Sequence, residues 1–126
     1  MFQGQDLSPG TWAYLGDAVF ELLVREHFAV TYGTNAGDLH RRTTAVVNAE
    51  AQAKLLKELE PELSPEELGI VRRGRNVTTR PAPKGSSVGS YRYSTGLEAL
   101  FGYLYLKGDW ERIRVLVGKG LTREVW

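Results

Sequence analysis

Three absences limit what this chain can be. It contains no cysteine, which excludes disulfide bonds, thiolate metal sites and cysteine nucleophiles. It has no run approaching the roughly 18 apolar residues that a membrane span needs, and no basic export signal at its start. We therefore expect a cytoplasmic protein that binds no membrane. With 126 residues, we expect a single domain, 1–126, that builds its core without disulfides or structural metal.

Acidic residues are also absent from residues 68–97, although the whole chain has a net charge of only +1. Five glutamates lie just before this stretch, within residues 58–67. Such asymmetry suits a polyanionic ligand if the fold gathers the basic side chains. Arginines near a helix C-terminus are also favoured by the helix dipole, so a purely structural interpretation stays open for part of the set. The basic residues are Arg72, Arg73, Arg75, Arg80, Lys84 and Arg92.

Helix signals recur along the chain and strand alternation is nowhere sustained, which predicts an all-α fold of about six helices. Ser8-Pro9 predicts a first helix from about Pro9 to His27. Asp38 and Asn48 are the predicted caps of the next two helices. The further predictions are a helix end at Glu60-Pro61, a capping box at Ser64 opening a helix that Gly74 closes, a long loop from Asn76 to Ser90, a helix that Gly108 ends, and a last helix capped by Asp109.

Two of the most apolar helical segments each contain one central acid, Asp17 in residues 12–23 and Glu98 in residues 93–106. A carboxylate in apolar surroundings costs several kcal/mol unless a partner or a metal compensates. We therefore expect both acids to be desolvated and to share one cation. The alternatives are that Asp17 pairs with an arginine or backbone donors, and that Glu98 only completes a capping box with Thr95.

The segment Tyr14-Leu15-Gly16-Asp17-Ala18-Val19-Phe20-Glu21-Leu22 resembles the signature helix of the ribonuclease III family. Gly37-Asp38-Leu39, Val46-Val47-Asn48-Ala49 and Glu98-Ala99-Leu100-Phe101-Gly102 are similar to the family's later blocks, in the same order. Residues 72–76 and 79–95, especially 91–95, resemble its short form, Mini-ribonuclease III, which lacks a double-stranded-RNA-binding domain. The resemblance implies a homodimeric, magnesium-dependent endoribonuclease, with manganese able to substitute. It further implies cleavage of double-stranded RNA to 5′-phosphate and 3′-hydroxyl ends, in maturation of precursor ribosomal RNA of the large subunit, with a ribosomal protein presenting the RNA.

By this resemblance Asp17 and Glu98 are the catalytic residues and metal ligands. The family's other two acids are replaced here by Ala13 and Thr95. Magnesium is often held by one or two carboxylates with waters and phosphate oxygens, so two acids can suffice for one ion. Glu21, one turn after Asp17, is a candidate substitute ligand, although such residues are usually solvated. The predicted phosphate contacts are Arg72, Arg73, Arg75, Lys84 and Arg92. The alternative function is a catalytically silent module that binds RNA or a ribosomal particle.

Overall fold

The computed structural model of the protein describes residues 6–33, 35–77 and 87–123. Within these segments the chain forms six α-helices and no strand, which confirms the predicted all-α class. The helices are α1 Pro9–Tyr32, α2 Ala36–Thr44, α3 Ala49–Leu59, α4 Pro65–Arg75, α5 Val88–Leu106 and α6 Trp110–Arg123, with a short 3-10 turn at Glu60–Glu62. In the segments so described, no helix is both long and apolar enough to cross a bilayer.

Four predicted helix starts are confirmed by their capping hydrogen bonds. The Ser8 hydroxyl accepts a hydrogen bond from the Thr11 backbone amide, and the side-chain Oδ1 of Asn48 accepts one from the Ala51 backbone amide. Ser64 forms the predicted reciprocal capping box with Glu67. Asp109 accepts from the Arg112 amide at 3.1 Å. Each bond satisfies a backbone donor that the first helical turn leaves without an internal partner.

Two predicted boundaries in the first third of the chain are wrong. Helix α1 continues past His27 to Tyr32, because no glycine or proline intervenes before Gly33, which ends the helix with its amide on the Ala29 carbonyl at 3.1 Å. Helix α2 is capped by Asn35, not Asp38. The Asn35 side chain accepts from the Asp38 amide at 3.0 Å, which places Asp38 inside the first turn.

The segment around the predicted basic loop also differs from expectation. Gly74 does not close α4 but lies within it, where an added Cβ would come 2.6 Å from the Ala99 Cβ on α5. Helix α5 begins at Val88, capped by Ser87, so the predicted loop is shorter than Asn76 to Ser90. Residues 78–86, including Lys84, lie outside the described residues.

Helices α1 and α5 cross at a contact between their backbones, and this crossing positions the site. A Cβ on Gly16 would overlap the Glu98 carbonyl oxygen, and a Cβ on Gly102 would overlap the Trp12 carbonyl oxygen. Only glycine allows so close an approach. Because Asp17 follows Gly16 directly, the crossing brings Asp17 on α1 beside Glu98 on α5.

The core around this crossing is aromatic and fully enclosed. Phe20 stacks on Phe101 with ring centroids 5.5 Å apart, and Trp12 meets Tyr103 edge-on at 5.2 Å. Such aromatic pairs contribute about 0.5–1.5 kcal/mol each beyond the area they bury. Helices α3 and α4 pack on the remaining faces of α5, so the site lies on a rigid support.

Candidate metal and RNA-binding site

A cleft of about 520 Å³ opens between α1 and α5. Its lining includes Asp17 and Glu98, the two acids predicted from the sequence. Ala13 and Thr95, at the positions where the ribonuclease III resemblance implies two more acids, line the same cleft. The structure thus brings all four positions together, with two carboxylates instead of four. Among the described residues, no group of three or more acids or histidines is placed to hold a metal ion.

The expectation that both acids are desolvated is wrong for Asp17. Asp17 is exposed on α1, while Trp12, Val19 and Phe20 of the same segment point into the core. The apolar segment therefore buries only one face of its helix. Glu98 is partly buried, so it carries the larger share of the electrostatic cost of the site.

Burial, and after it the negative charge and hydrogen bonding of nearby Asp17, together raise the pKa of the Glu98 carboxyl to about 9. Hydrogen bonding from Gln52 on α3 acts in the opposite direction. The Glu98 carboxyl therefore keeps its proton near neutral pH in the metal-free protein. A cation held between Asp17 and Glu98 would take over the compensation that this proton supplies.

The structure does not show the alternatives considered for the two acids, an ion pair for Asp17 and a capping box for Glu98. None of the ion pairs among the described residues includes Asp17 or Glu98. Glu98 lies in the middle of α5, so it completes no capping box with Thr95. The Thr95 hydroxyl donates to the Tyr91 carbonyl at 2.9 Å, the ordinary role of a threonine inside a helix.

Glu21, the candidate substitute ligand, pairs with Arg25 one turn further along α1. The Arg25 guanidinium approaches the Glu21 carboxylate at 2.7 Å. Both side chains are substantially exposed, and such helix pairs stabilise by only about 0.3–0.5 kcal/mol. Glu21 is thus occupied by a neighbour on its own helix and does not line the cleft.

The residues present fit a magnesium ion. Two carboxyl groups from different helices face one open cleft, and the pKa of Glu98 is raised first by its burial and then by the charge of Asp17. Magnesium prefers one or two carboxylates and keeps several waters, which a cleft of this size accommodates. Asp17 and Glu98 are the residues that would hold it.

Sequence reasoning missed Gln52 of α3. Its side chain is only 2% exposed and lies close enough to Glu98 to affect the pKa of that carboxyl. The signal available in the sequence was a single amide within the apolar run Ala51, Ala53, Leu55 and Leu56. That signal is weak, because a lone glutamine in a helix is usually solvated.

Two of the predicted basic residues of α4 lie over aromatic rings, one on α1 and one on α5. The Arg73 guanidinium lies over the Trp12 ring, 4.8 Å from its centroid, and Arg75 lies over the Tyr93 ring at 4.2 Å. Stacking on an aromatic face limits the side-chain freedom of an arginine while leaving it charged. Arg72 and Arg92 are exposed. The position of Lys84 is outside the described residues.

A second groove, of about 320 Å³, lies between the C-terminal half of α1 and α6. Its acid, Glu26, pairs with Arg114 at 2.9 Å. The acid is therefore already compensated by a protein cation. This groove lacks the pair of like charges that marks the α1–α5 cleft.

Comparison with known proteins agrees with this arrangement. The model of the Ribonuclease III domain matches residues 11–109. The chain is 46% identical to the Mini-ribonuclease 3 of Thermoanaerobacter sp. (strain X514) over 108 residues, covering 86% of this chain and 76% of that protein. It is 48% identical to the Mini-ribonuclease 3 of Symbiobacterium thermophilum, covering 85% and 82%.

A crystal structure of a protein from Fusobacterium nucleatum superposes with a TM-score of 0.85 at 32% identity, covering 94% of this chain and 95% of that one. The six-helix fold of the described residues and the matched domain agree with one another. The chain belongs to the ribonuclease III family, with Mini-ribonuclease 3 proteins among its relatives.

Proposed function

We propose that this protein is a magnesium-dependent endoribonuclease that hydrolyses double-stranded RNA, leaving 5′-phosphate and 3′-hydroxyl ends. The observation that carries the proposal is the Asp17–Glu98 pair, two carboxyls brought together by a glycine crossing at the wall of an open cleft. Family membership supports the same class of reaction. Manganese, with the same charge and ligand preference, is expected to substitute for magnesium.

The acids have different tasks in this proposal. Exposed Asp17 would hold the cation from the solvent side, and partly buried Glu98 would hold it from within the fold. A bound ion would supply an activated water and neutralise charge on the phosphate. Glu98 would have to give up the proton that its raised pKa retains near neutral pH.

The basic residues supply the RNA contacts. Duplex RNA is recognised mainly through phosphates and 2′-hydroxyls, for which arginine and lysine are well suited. The proposed phosphate contacts are Arg72, Arg73, Arg75, Lys84 and Arg92. The stacking of Arg73 on Trp12 supports this assignment only in that it holds a charged guanidinium at the surface of the α1–α4 contact.

We further propose that the protein acts as a homodimer in the cytoplasm on precursor ribosomal RNA, with a ribosomal protein presenting the RNA. Each subunit would cut one strand. Support for a dimer comes from the outer face of α1, where Tyr14 is 79% exposed and Leu22 is 56% exposed. Tyr14, Ala18 and Leu22 follow one another at steps of four residues, so they form an exposed stripe beside Asp17.

The test is cleavage of a long RNA duplex by purified protein, with and without magnesium. We expect Asp17→Asn to lower the rate by at least about a hundredfold, because it removes a ligand charge. Glu21→Gln is the matched control, an acid on the same helix that pairs with Arg25, and its rate should stay within a few-fold of wild type. A wild-type protein that binds the duplex without cutting it would instead establish the silent RNA-binding module.

A further inference from the structure

Gln52 is a buried amide whose orientation is fixed by its surroundings. Its Nε2 group donates to the Val47 carbonyl at 2.9 Å. A carbonyl oxygen can only accept, so the nitrogen and not the oxygen must face Val47. The side chain is 2% exposed and therefore cannot rotate out to solvent.

The amide is incompletely satisfied in this position. Its Oε1 atom is buried and has no hydrogen-bond partner. A buried acceptor without a partner destabilises a fold, and an apolar side chain of similar volume would avoid that cost. Its neighbours Ala51, Ala53, Leu55 and Leu56 are buried and apolar, so packing alone gives no reason for an amide here.

What the amide does have is a second N–H and a position next to Glu98. An Nε2 group carries two hydrogens, of which the Val47 carbonyl takes one. The Gln52 side chain lies close enough to the Glu98 carboxyl to lower its pKa, which is the effect of an N–H donor beside a carboxylate. Helix α3 packs directly on α5, so the link joins two rigid elements.

We propose that Gln52 is a positioning residue, which holds the Glu98 carboxylate between the Val47 carbonyl and the α1–α5 cleft so that it can share a divalent cation with Asp17. This inference rests on the proposed function. Partners that orient a ligand in this way typically change metal affinity or activity by about 10–100-fold when they are replaced. Gln52 itself does not touch the ion or the RNA.

The test uses Gln52→Met, which keeps the length of the side chain and removes its donors. We expect the Mn²⁺ dissociation constant, measured by electron paramagnetic resonance without RNA, to rise about tenfold. The magnesium concentration that gives half-maximal cleavage should rise by a similar factor, and saturating magnesium should restore most of the rate. The melting temperature should change little, because loss of the Val47 bond is offset by loss of the unpaired Oε1.

Thr43→Val is the matched control, since Thr43 is another buried polar residue, 4% exposed, that lines a different groove on α2. Its Mn²⁺ affinity should equal that of wild type. Gln52→Leu provides a second variant if Gln52→Met does not fold. Unchanged Mn²⁺ affinity in a folded Gln52 variant overturns the positioning role while leaving the endonuclease proposal intact. Failure of the wild type to bind Mn²⁺ or to cut RNA would instead overturn the proposed function itself.

Discussion

Replacing Glu98 with glutamine should stabilise the metal-free protein. Folding raises the pKa of Glu98 from an ordinary 4.5 to about 9, so between these values the folded state binds more protons than the unfolded state. Stability contributed by the neutral carboxyl is therefore fully present below about pH 4.5 and is lost as pH rises toward 9. At pH 7 this loss of folding free energy depends mainly on how far the pH lies above the unfolded-state pKa of 4.5, and it amounts to about 3 kcal/mol.

Glu98→Gln removes this loss, because glutamine never ionises. In chelator-treated protein at pH 7 we expect its melting temperature to exceed that of wild type by about 10 °C. The difference should shrink as the pH falls toward 4.5, because the unfolded-state carboxyl then also becomes protonated. Saturating magnesium should narrow or reverse the difference, because the ion binds only the wild-type pair. Melting curves measured from pH 5 to 9 check this, and parallel pH profiles for the two proteins would refute the reasoning.

Three further predictions concern the crossing, the α4–α6 contact and the basic residues. Gly102→Ala should destabilise the fold by about 3 kcal/mol or more in urea unfolding, because its Cβ overlaps the Trp12 carbonyl oxygen; a normal midpoint would refute the close crossing. Arg112→Ala should cost about 3 kcal/mol, because it breaks two 2.8 Å bonds to buried Glu67; a loss below about 1 kcal/mol would show that the pair is solvated. Arg73→Ala should weaken binding to many duplex sequences alike and reduce the slope of log affinity against log salt concentration by about one unit. The control is Arg114→Ala, which removes an arginine over Trp110, away from the cleft, and should leave that slope unchanged. If both variants keep the wild-type slope, Arg73 has only a structural role.

The helical class and most caps were predictable from the sequence, because proline, serine and asparagine act locally. Ser64 and Asn48 cap as expected, since a cap needs only the three residues that follow it. The end of α1 was predicted too early, at His27, although the signal for it is local. Gly33 is the first glycine or proline after Gly16, and the helix ends there.

The pairing of Asp17 with Glu98 was expected from the sequence pattern and the family resemblance, but the division of burial between them was not. Burial depends on which face of α1 meets the core, and that face is fixed by the crossing at Gly16 and Gly102. Gln52 was missed for the same reason. Its role comes from a contact with α5, 46 residues further along the chain than Gln52 itself, which no local pattern encodes.

The glycine crossing also limits how this protein can change over evolutionary time. Since main chain touches main chain at Gly16 and Gly102, no compensating side-chain substitution can widen or narrow the gap between the two acids. The backbone separation of the two acids is therefore fixed by the crossing. Under the proposed endoribonuclease function, new RNA preferences would arise in exposed arginines such as Arg72 and Arg92, which lie outside that crossing.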